Sequence, residues 1–498
     1  MPFKSRWEIE VPNTHLASLL FTSPTHPLSK THRSFSEAAR PDTHYFTTHD
    51  FRLWCQRFAA GLLKSGLQPG DRVLLLSGND IFFPVVFLGV AMAGVVFTGA
   101  NPTYVARELA YQLQDSGATY LICAEGSLDT GIEGAKIAGL GLDKVFVFND
   151  AIYDGKGEGK KGCRDWGELI ASAEEGNAFA WDPLSTPEKA SQTLALNYSS
   201  GTTGKPKGVE ISHKNYCANM LQYNHLFYMS PDWKEKEKRA RWLCFLPMYH
   251  ALAQNIFIAA ALNRGVPVYI MPQFDFLKML EYTEKFRITD YILVPPVVVA
   301  LAKHPAAKSG KYDLSSVELI GSGAAPLGRD VCEEAEALWP PGCINVKQAW
   351  GMTKTTCSVL GWSPNDISHS ASVGELNANC EAKIMDDDGV TELGRNQRGE
   401  LWELIKVKGN QVAPAELEAL LLEHPAVADV AVIGVPSNND ESPRAYNVLK
   451  PGHSATANDV IAFMDGKIPK NPSGKILRKV LQEQAKEEMQ TNGAVAKL

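Results

Sequence analysis

Paired cysteines are what this sequence most plainly lacks. Its nine cysteines are scattered, with no C-x-x-C spacing and no matched intervals. That excludes a disulfide framework and a cysteine-based zinc site, and points to buried thiols in a reducing compartment. Strong charge of either sign is also missing: Lys+Arg total 49 against Asp+Glu 56, a formal net charge of −7. Such mild acidity argues against nucleic acid as the main partner. Residues 1–10 carry charges and no apolar core, so no signal peptide is legible. Neither an internal repeat nor a low-complexity tract is present. One run, Ile81–Ala100, has no charge and mimics a membrane span, but Pro84, Gly89, Gly94 and Gly99 interrupt it. It reads as buried helix, turn and strand. The expectation is a soluble chain with no transmembrane segment, cytoplasmic unless an address directs it elsewhere.

What is present is ample: 498 residues, 45% hydrophobic and 21% charged, enough for two to four ordinary globular domains. Strands and helices alternate. A helical pattern over Phe51–Gly66 is followed by the turn Pro69-Gly70-Asp71 and a strand at Arg72–Leu76. A helix at Arg107–Ser116 stops at Gly117 before the strand Tyr120–Ala124. Further on come the strand Trp242–Leu246, an apolar helix around Asn255–Leu262, the strand Val266–Met271 and another strand–helix unit from Ile292. This order predicts an α/β fold of doubly wound sheets covered on both faces. Near Cys380 short alternating strands and the turn Asp386-Asp387-Asp388-Gly389 predict a small distorted β-barrel. The large N-terminal domain is expected over residues 1–402, and a small α+β C-terminal domain over 403–498. In the latter, Pro414–Glu423 and Ile476–Gln490 read as helices, and Val427–Val435 and Pro443–Leu449 as strands. The Lys/Gly-rich loop Gly155–Gly162 reads as plain surface.

The most informative stretch is Tyr198-Ser199-Ser200-Gly201-Thr202-Thr203-Gly204-Lys205-Pro206-Lys207-Gly208, directly after the strand candidate Leu194–Asn197. Glycines permit the positive φ angles of a concave nest of backbone N–H groups, and hydroxyls and lysines add donors and charge. A polyphosphate is the natural guest. A Walker A loop is excluded, because Pro206 stands where Ser or Thr would hold Mg²⁺. The run resembles the phosphate-binding signature of the acyl-adenylate-forming enzymes, especially the CoA ligases related to 4-coumarate–CoA ligase.

Further motifs in the right order extend the resemblance over nearly the whole chain. Phe245-Leu246-Pro247-Met248-Tyr249-His250-Ala251 is similar to the segment whose histidine, here His250, closes the acyl pocket. A lone histidine beside an apolar helix would otherwise read as structural. Gly321-Ser322-Gly323-Ala324-Ala325-Pro326-Leu327-Gly328 is similar to the loop along which adenine lies, where small residues allow a flat ring close approach. Taken alone it reads equally as a tight turn. Gln348-Ala349-Trp350-Gly351-Met352-Thr353 resembles the family's next motif, which implies stacking of Trp350 on adenine and a phosphate contact from Thr353. Ala349 replaces a glycine there. In the small domain the resemblance implies that Lys406 faces the adenylate, that Lys408 and Gly409 meet coenzyme A, and that Lys475 is the catalytic lysine. The nucleotide set implied is therefore Ser199, Ser200, Gly201, Thr202, Thr203, Gly204, Lys205 and Lys207, with Gly323, Ala324 and Ala325, the run Gln348–Thr353, and Lys406.

By this resemblance ATP converts a carboxylic acid to an acyl-adenylate, assisted by Mg²⁺, and coenzyme A then displaces AMP. A mobile C-terminal domain swings between the two steps. The acid is aromatic or medium-chain, with secondary metabolism as the setting. The final Ala496-Lys497-Leu498 resembles a peroxisomal address, which implies an import receptor as partner.

Three departures stand against the family pattern. The family's metal-holding glutamate after Thr353 is Lys354, so no metal ligand is assigned. Arg398-Gly399-Glu400-Leu401-Trp402 leads straight to Glu403-Leu404-Ile405-Lys406, without the Thr-Gly-Asp that grips ribose or the hinge that follows it. Phe463-Met464-Asp465-Gly466-Lys467-Ile468 likewise jumps across a helix end and a strand. A second reading is thus a catalytically impaired paralogue or mis-spliced form that retains nucleotide or acyl binding only. A third is a stand-alone adenylating domain serving a carrier protein.

Overall fold

The charge-free run explains itself once folded. In the computed structural model every residue of the helix Phe83–Met92 is buried, Gly94 turns the chain at φ 72°, and Val96–Ala100 is a wholly buried strand. Phe83 and Phe87 meet Phe97 edge-on, with ring centroids 5.8 and 5.3 Å apart. Each such ring contributes about 2 kcal/mol by leaving water. Among the described residues, no helix is long and apolar enough to cross a membrane. The structure describes residues 3–22, 27–199, 206–386, 391–395, 397, 399–402, 427–437 and 440–449.

Two seven-stranded sheets organise the chain. The first runs in the order Lys207–Ser212, Thr193–Ser199, Val96–Ala100, Arg72–Leu76, Tyr120–Ala124, Val145–Phe148, Arg164–Asp165. All its neighbours are parallel except the edge strand Lys207–Ser212. Its register sets Lys207 opposite Ser199, so the two ends of the glycine- and hydroxyl-rich stretch are held side by side. The second sheet has the order Val346–Gln348, Leu319–Ser322, Asp290–Leu293, Trp242–Cys244, Val268–Ile270, Arg33–Glu37, Tyr45–Thr47, parallel except at its last pair. Helices cover both, and one apolar core joins them. The doubly wound α/β expectation is met.

Local chemistry sets the boundaries. The helix Ala106–Ser116 ends because Gly117 takes the left-handed conformation, which glycine adopts without a Cβ penalty. The strands Arg72–Leu76 and Tyr120–Ala124 occur as expected. The apolar helix is longer than its periodicity indicated. It runs from Ala251 to Asn263, and its middle, Gln254–Ala260, is wound as a π-helix. Gln254 there is fully buried, and its Oε1 accepts from Asn197 Nδ2 at 2.9 Å and Tyr216 Oη at 2.6 Å.

The antiparallel region around Cys380 consists of two small sheets. One joins Phe3–Lys4, Glu381–Met385, Glu392–Leu393 and Glu400–Trp402; the other joins Trp350–Gly351, Ser358–Gly361 and Glu375–Leu376. Further on, Val427–Ser437 pairs antiparallel with Asp440–Leu449. The expected turn at Asp387–Gly389 and the helices Pro414–Glu423 and Ile476–Gln490 lie outside the described residues.

One buried pair makes the fold acid-sensitive. His15 donates from Nε2 to Ala91 O at 3.0 Å and accepts at Nδ1 from Ala17 N at 2.9 Å, capping the helix Leu16–Phe21. The ring of His213 lies 4.1 Å away. Burial lowers the His15 pKa from 6.5 to about 4. The unfolded chain therefore takes up a proton that the folded chain refuses. Stability from this site is full above pH 6.5 and drains as pH falls toward 4, by up to about 3 kcal/mol. Urea midpoints measured across that range should fall with pH, and His15→Gln should flatten the slope. An equal slope in both proteins would refute this assignment.

Candidate active site

In the second sheet the strands Asp290–Leu293, Leu319–Ser322 and Val346–Gln348 run parallel, so the loops leaving them gather at one edge. Such an edge is where open α/β sheets bind ligands. The loop after Ser322 is pinned to its neighbours. Gly323 N donates to Leu293 O at 3.1 Å, and Ala349 N to Ser322 O at 2.8 Å. Leu327 N donates to Gln348 Oε1 at 2.9 Å. Ala324 sits at φ 72°, a conformation that costs a non-glycine residue about 1 kcal/mol and persists only where neighbours impose it. A Cβ on Gly321 would meet only Leu319 Cδ2 at 4.0 Å, and one on Gly323 only Ala349 O at 3.5 Å. Packing within the protein does not require glycine at either position. A flat ligand lying on this loop would.

The next segment is held more tightly. Trp362 Nε1 donates to Gln348 O at 2.7 Å, and Trp350 pairs with Leu360 across an irregular step at Gly351. The short turn Thr353–Thr355 follows, where Thr355 Oγ1 accepts from Met352 N and donates to Met352 O at 3.0 Å. Thr356 then adopts φ 71°. For a β-branched side chain that is a true outlier, of the kind that clusters at functional sites. Lys354 is exposed.

His250 comes from the facing wall. Its segment is clamped by the buried Asn79, whose Nδ2 donates to Leu246 O at 3.1 Å and Met271 O at 3.2 Å, and whose Oδ1 accepts from Met248 N at 2.9 Å. Gly99 lets this segment approach the first sheet, since a Cβ there would lie 3.0 Å from Tyr249 Cβ and 3.1 Å from its Cα. The rings of Tyr249 and His250 are 4.7 Å apart. At the third side, Tyr198 Oη donates to Asp115 Oδ2 at 2.6 Å, and Tyr111 Oη donates to Pro206 O at 2.9 Å. Burial first, then Asp115, pushes the Tyr198 phenol well up, so it stays a neutral donor.

These walls enclose one cavity of about 1910 Å³. That exceeds the few hundred to about 1,000 Å³ of a typical small-molecule site. Ser199, His250, Gly323, Ala324, Ala325 and the run Gln348–Thr353 all line it. Lys207 does not belong to the wall. It is exposed at the start of the edge strand. Ser200, Gly201, Thr202, Thr203, Gly204, Lys205, Lys406, Lys408, Gly409 and Lys475 lie outside the described residues. Asn79, Trp362 and Gly99, which position the site, carried no motif in the sequence. A metal centre does not fit what is described: Lys354 stands at the expected ligand position, and among the described residues no three His, Cys, Asp or Glu side chains converge.

Comparison with known proteins identifies the family. Residues 24–415 match the model of the AMP-binding enzymes, and residues 416–486 that of the AMP-binding enzyme C-terminal domain. The chain is 31% identical to 4-coumarate–CoA ligase 1 of Petroselinum crispum over 517 aligned positions, covering 88% of each protein. It is 32% identical to the acyl-CoA synthetase ACTT5 of Alternaria alternata, covering 88% of this chain and 85% of that one. The 517 aligned positions outnumber the 88% of this 498-residue chain that they cover, so the Petroselinum ligase carries stretches for which this chain has no counterpart. Among solved structures, ATP-bound MatB from Rhodopseudomonas palustris matches with a TM-score of 0.70 at 23% identity, over 95% of this chain and 99% of that one. A benzoate CoA ligase from Burkholderia xenovorans LB400 matches with a TM-score of 0.71 at 18% identity, over 94% and 99%. These two likenesses establish the shared fold. The chain belongs to the AMP-binding, acyl-adenylate-forming enzymes, on the branch of the acyl-CoA ligases related to 4-coumarate–CoA ligase.

Proposed function

We propose that this chain joins a carboxylic acid to coenzyme A in two steps within the cavity. A carboxylate is a poor electrophile, so its oxygen first attacks the α-phosphorus of ATP, giving an acyl-adenylate and releasing pyrophosphate. The coenzyme A thiolate then attacks the acyl carbonyl and expels AMP. Negative charge accumulates between two anions in the first step, and prearranged donors and cations must meet it. On this reading the run Ser199–Lys205 cradles the phosphates, Thr353 adds a hydroxyl, and Lys475 supplies the cation at the reacting oxygens. Adenine lies between Trp350 and the Gly323–Ala325 loop, against Gln348, Ala349, Gly351 and Met352. His250 borders the acid.

Residues 1–402 act as the nucleotide-holding domain and 403–498 as the lid. Its swing exchanges Lys475 and Lys406 for the coenzyme A-facing Lys408 and Gly409. Among the described residues no ligand set for Mg²⁺ converges, so no step is routed through the ion. The acid is taken as aromatic or medium-chain, with 4-coumarate, named for several relatives, as the guide; secondary metabolism is the matching setting. Ala496-Lys497-Leu498 supports delivery to peroxisomes. A fluorescent protein fused ahead of Ala496-Lys497-Leu498 should collect in peroxisomes, and a diffuse signal would remove that part of the reading.

The observation that carries the proposal is convergence. His250, the Gly323–Leu327 loop and Gln348–Thr353, far apart in sequence, form the walls of one large cavity. Incubating purified full-length protein with ATP, Mg²⁺, coenzyme A and a panel of aromatic and medium-chain acids tests it. The expected result is an acyl-CoA thioester and one AMP per thioester, identified by mass. Absence of any thioester across the panel would favour the alternative, a binding-only paralogue.

A further inference from the structure

The cavity wall carries a cation that the fold leaves without a carboxylate. Lys354 is exposed and lines the cavity beside Thr353. Every acidic residue of the described wall has a partner of its own. Glu318 pairs with Arg239, Glu333 and Glu336 pair with Arg329, and Asp366 lies 3.9 Å from Arg6. Asp290 accepts from Thr289 Oγ1 at 2.6 Å, and Glu108 from Val105 N at 3.0 Å. Among the described residues none of these carboxylates forms an ion pair with Lys354. The backbone beneath the lysine is braced. Its turn, Thr353–Thr355, packs against the strands Thr193–Ser199 and Lys207–Ser212, whose facing ends are Ser199 and Lys207. The helix His213–Tyr228 holds it too. There the buried Asn219 donates from Nδ2 to Thr355 O at 3.4 Å and Ser358 O at 2.7 Å, and accepts at Oδ1 from Ser358 N at 3.2 Å. Thr356, at φ 71°, closes the turn in a conformation that only such bracing sustains.

We infer that Lys354 is a binding residue for the phosphate chain of ATP, supplying positive charge from the protein where the described wall converges no metal ligands. This rests on the proposed function and adds one contact to its nucleotide site. An ammonium and a carboxylate at this position have opposite consequences. A carboxylate holds a divalent cation and, without one, repels phosphate. An ammonium attracts phosphate directly and repels the cation. Its three N–H donors on a flexible stem suit a point contact with phosphate oxygens. The affinity of this chain for ATP is therefore set in part by Lys354 and depends little on Mg²⁺.

Calorimetry of ATP binding to the purified full-length protein, in Mg²⁺ and separately in EDTA, tests the assignment. Wild-type affinity should differ by less than about fivefold between the two conditions. Lys354→Ala should weaken ATP binding about tenfold in EDTA, the worth of one charge-assisted contact. Lys354→Arg should keep most of the affinity. Adenosine, which has no phosphate, should bind wild type and Lys354→Ala equally. Lys354→Glu should create an ion dependence, binding ATP at least about tenfold better with Mg²⁺ than in EDTA. Three results overturn the inference: a larger wild-type loss in EDTA, an unchanged ATP affinity in Lys354→Ala, or an equal loss of adenosine binding. If the variants fail to fold, the wild-type comparison decides alone. Thioester formation is read in parallel. Thioester from wild type, with ATP binding indifferent to Lys354→Ala, sinks the role of Lys354 and spares the ligase reading. Lys354-dependent ATP binding without thioester from any acid does the reverse.

Discussion

Gly351→Ala is expected to lower acid-dependent pyrophosphate exchange by at least about a hundredfold. A Cβ on Gly351 would lie 1.7 Å from Cys357 O, 2.7 Å from Cys357 C and 2.8 Å from Ser358 Cα. All three are backbone atoms, so no side chain can swing aside. The strand Trp350–Gly351 must separate from Ser358–Gly361, carrying Trp350, Met352 and Thr353 out of place. A displacement of about 1 Å at a site built on positioning costs on the order of a hundredfold in rate. The stability cost should be modest by comparison, about 1–3 kcal/mol, because the contact involves a small antiparallel sheet and leaves the two large sheets intact. Exchange assays and thermal melts of the same preparation separate the two effects. A variant that melts early and yet exchanges at the wild-type rate would show that this strand does not position the nucleotide.

Lys475→Ala carries the second large effect, and it divides the reaction. Lys475 is assigned to the first step alone, where its charge meets the negative charge building between carboxylate and phosphate. Losing one such preorganised cation costs about a hundred- to a thousandfold. The variant should therefore lose acyl-adenylate formation by that factor. Supplied with synthetic acyl-adenylate and coenzyme A, it should still form thioester at a rate within a few-fold of wild type, since on the proposed function the lid has by then carried the lysine away. Equal loss in both half-reactions would contradict the division of labour between Lys475 and the Lys408–Gly409 loop.

Much of the fold was legible because its signals are local. Pro69-Gly70-Asp71 and Gly117 punctuate the chain where backbone geometry demands it, and the strand after each, Arg72–Leu76 and Tyr120–Ala124, came out residue for residue. The buried reading of Ile81–Ala100 followed from its breakers. Other features depend on partners distant in sequence. Phe3–Lys4 pairs with Glu381–Ala382, and Arg33–Glu37 and Tyr45–Thr47 join the far edge of the second sheet. No local pattern specifies either pairing. The π-winding of Gln254–Ala260 coincides with buried hydrogen bonds to Asn197 and Tyr216, invisible to helical periodicity.

The candidate site divides the same way. Residues expected to meet ligand sit in motifs, and could be named from the sequence. Residues that hold those motifs in place do not. Asn79 clamps the His250 segment from the other sheet's first half, and Trp362 reaches back to the Gln348 carbonyl.

The departures at Lys354, Trp402–Glu403 and Met464–Asp465 make turnover by this chain the central claim. Isotope exchange between labelled pyrophosphate and ATP, catalysed by the purified full-length protein, tests it most directly. The step reports adenylate formation alone, before coenzyme A or product release intervenes. Label should enter ATP only when a carboxylic acid is added, and Lys475→Ala should abolish it. Exchange absent with every acid, from protein that still binds ATP, would contradict the account and leave a nucleotide-binding relative that no longer activates acids.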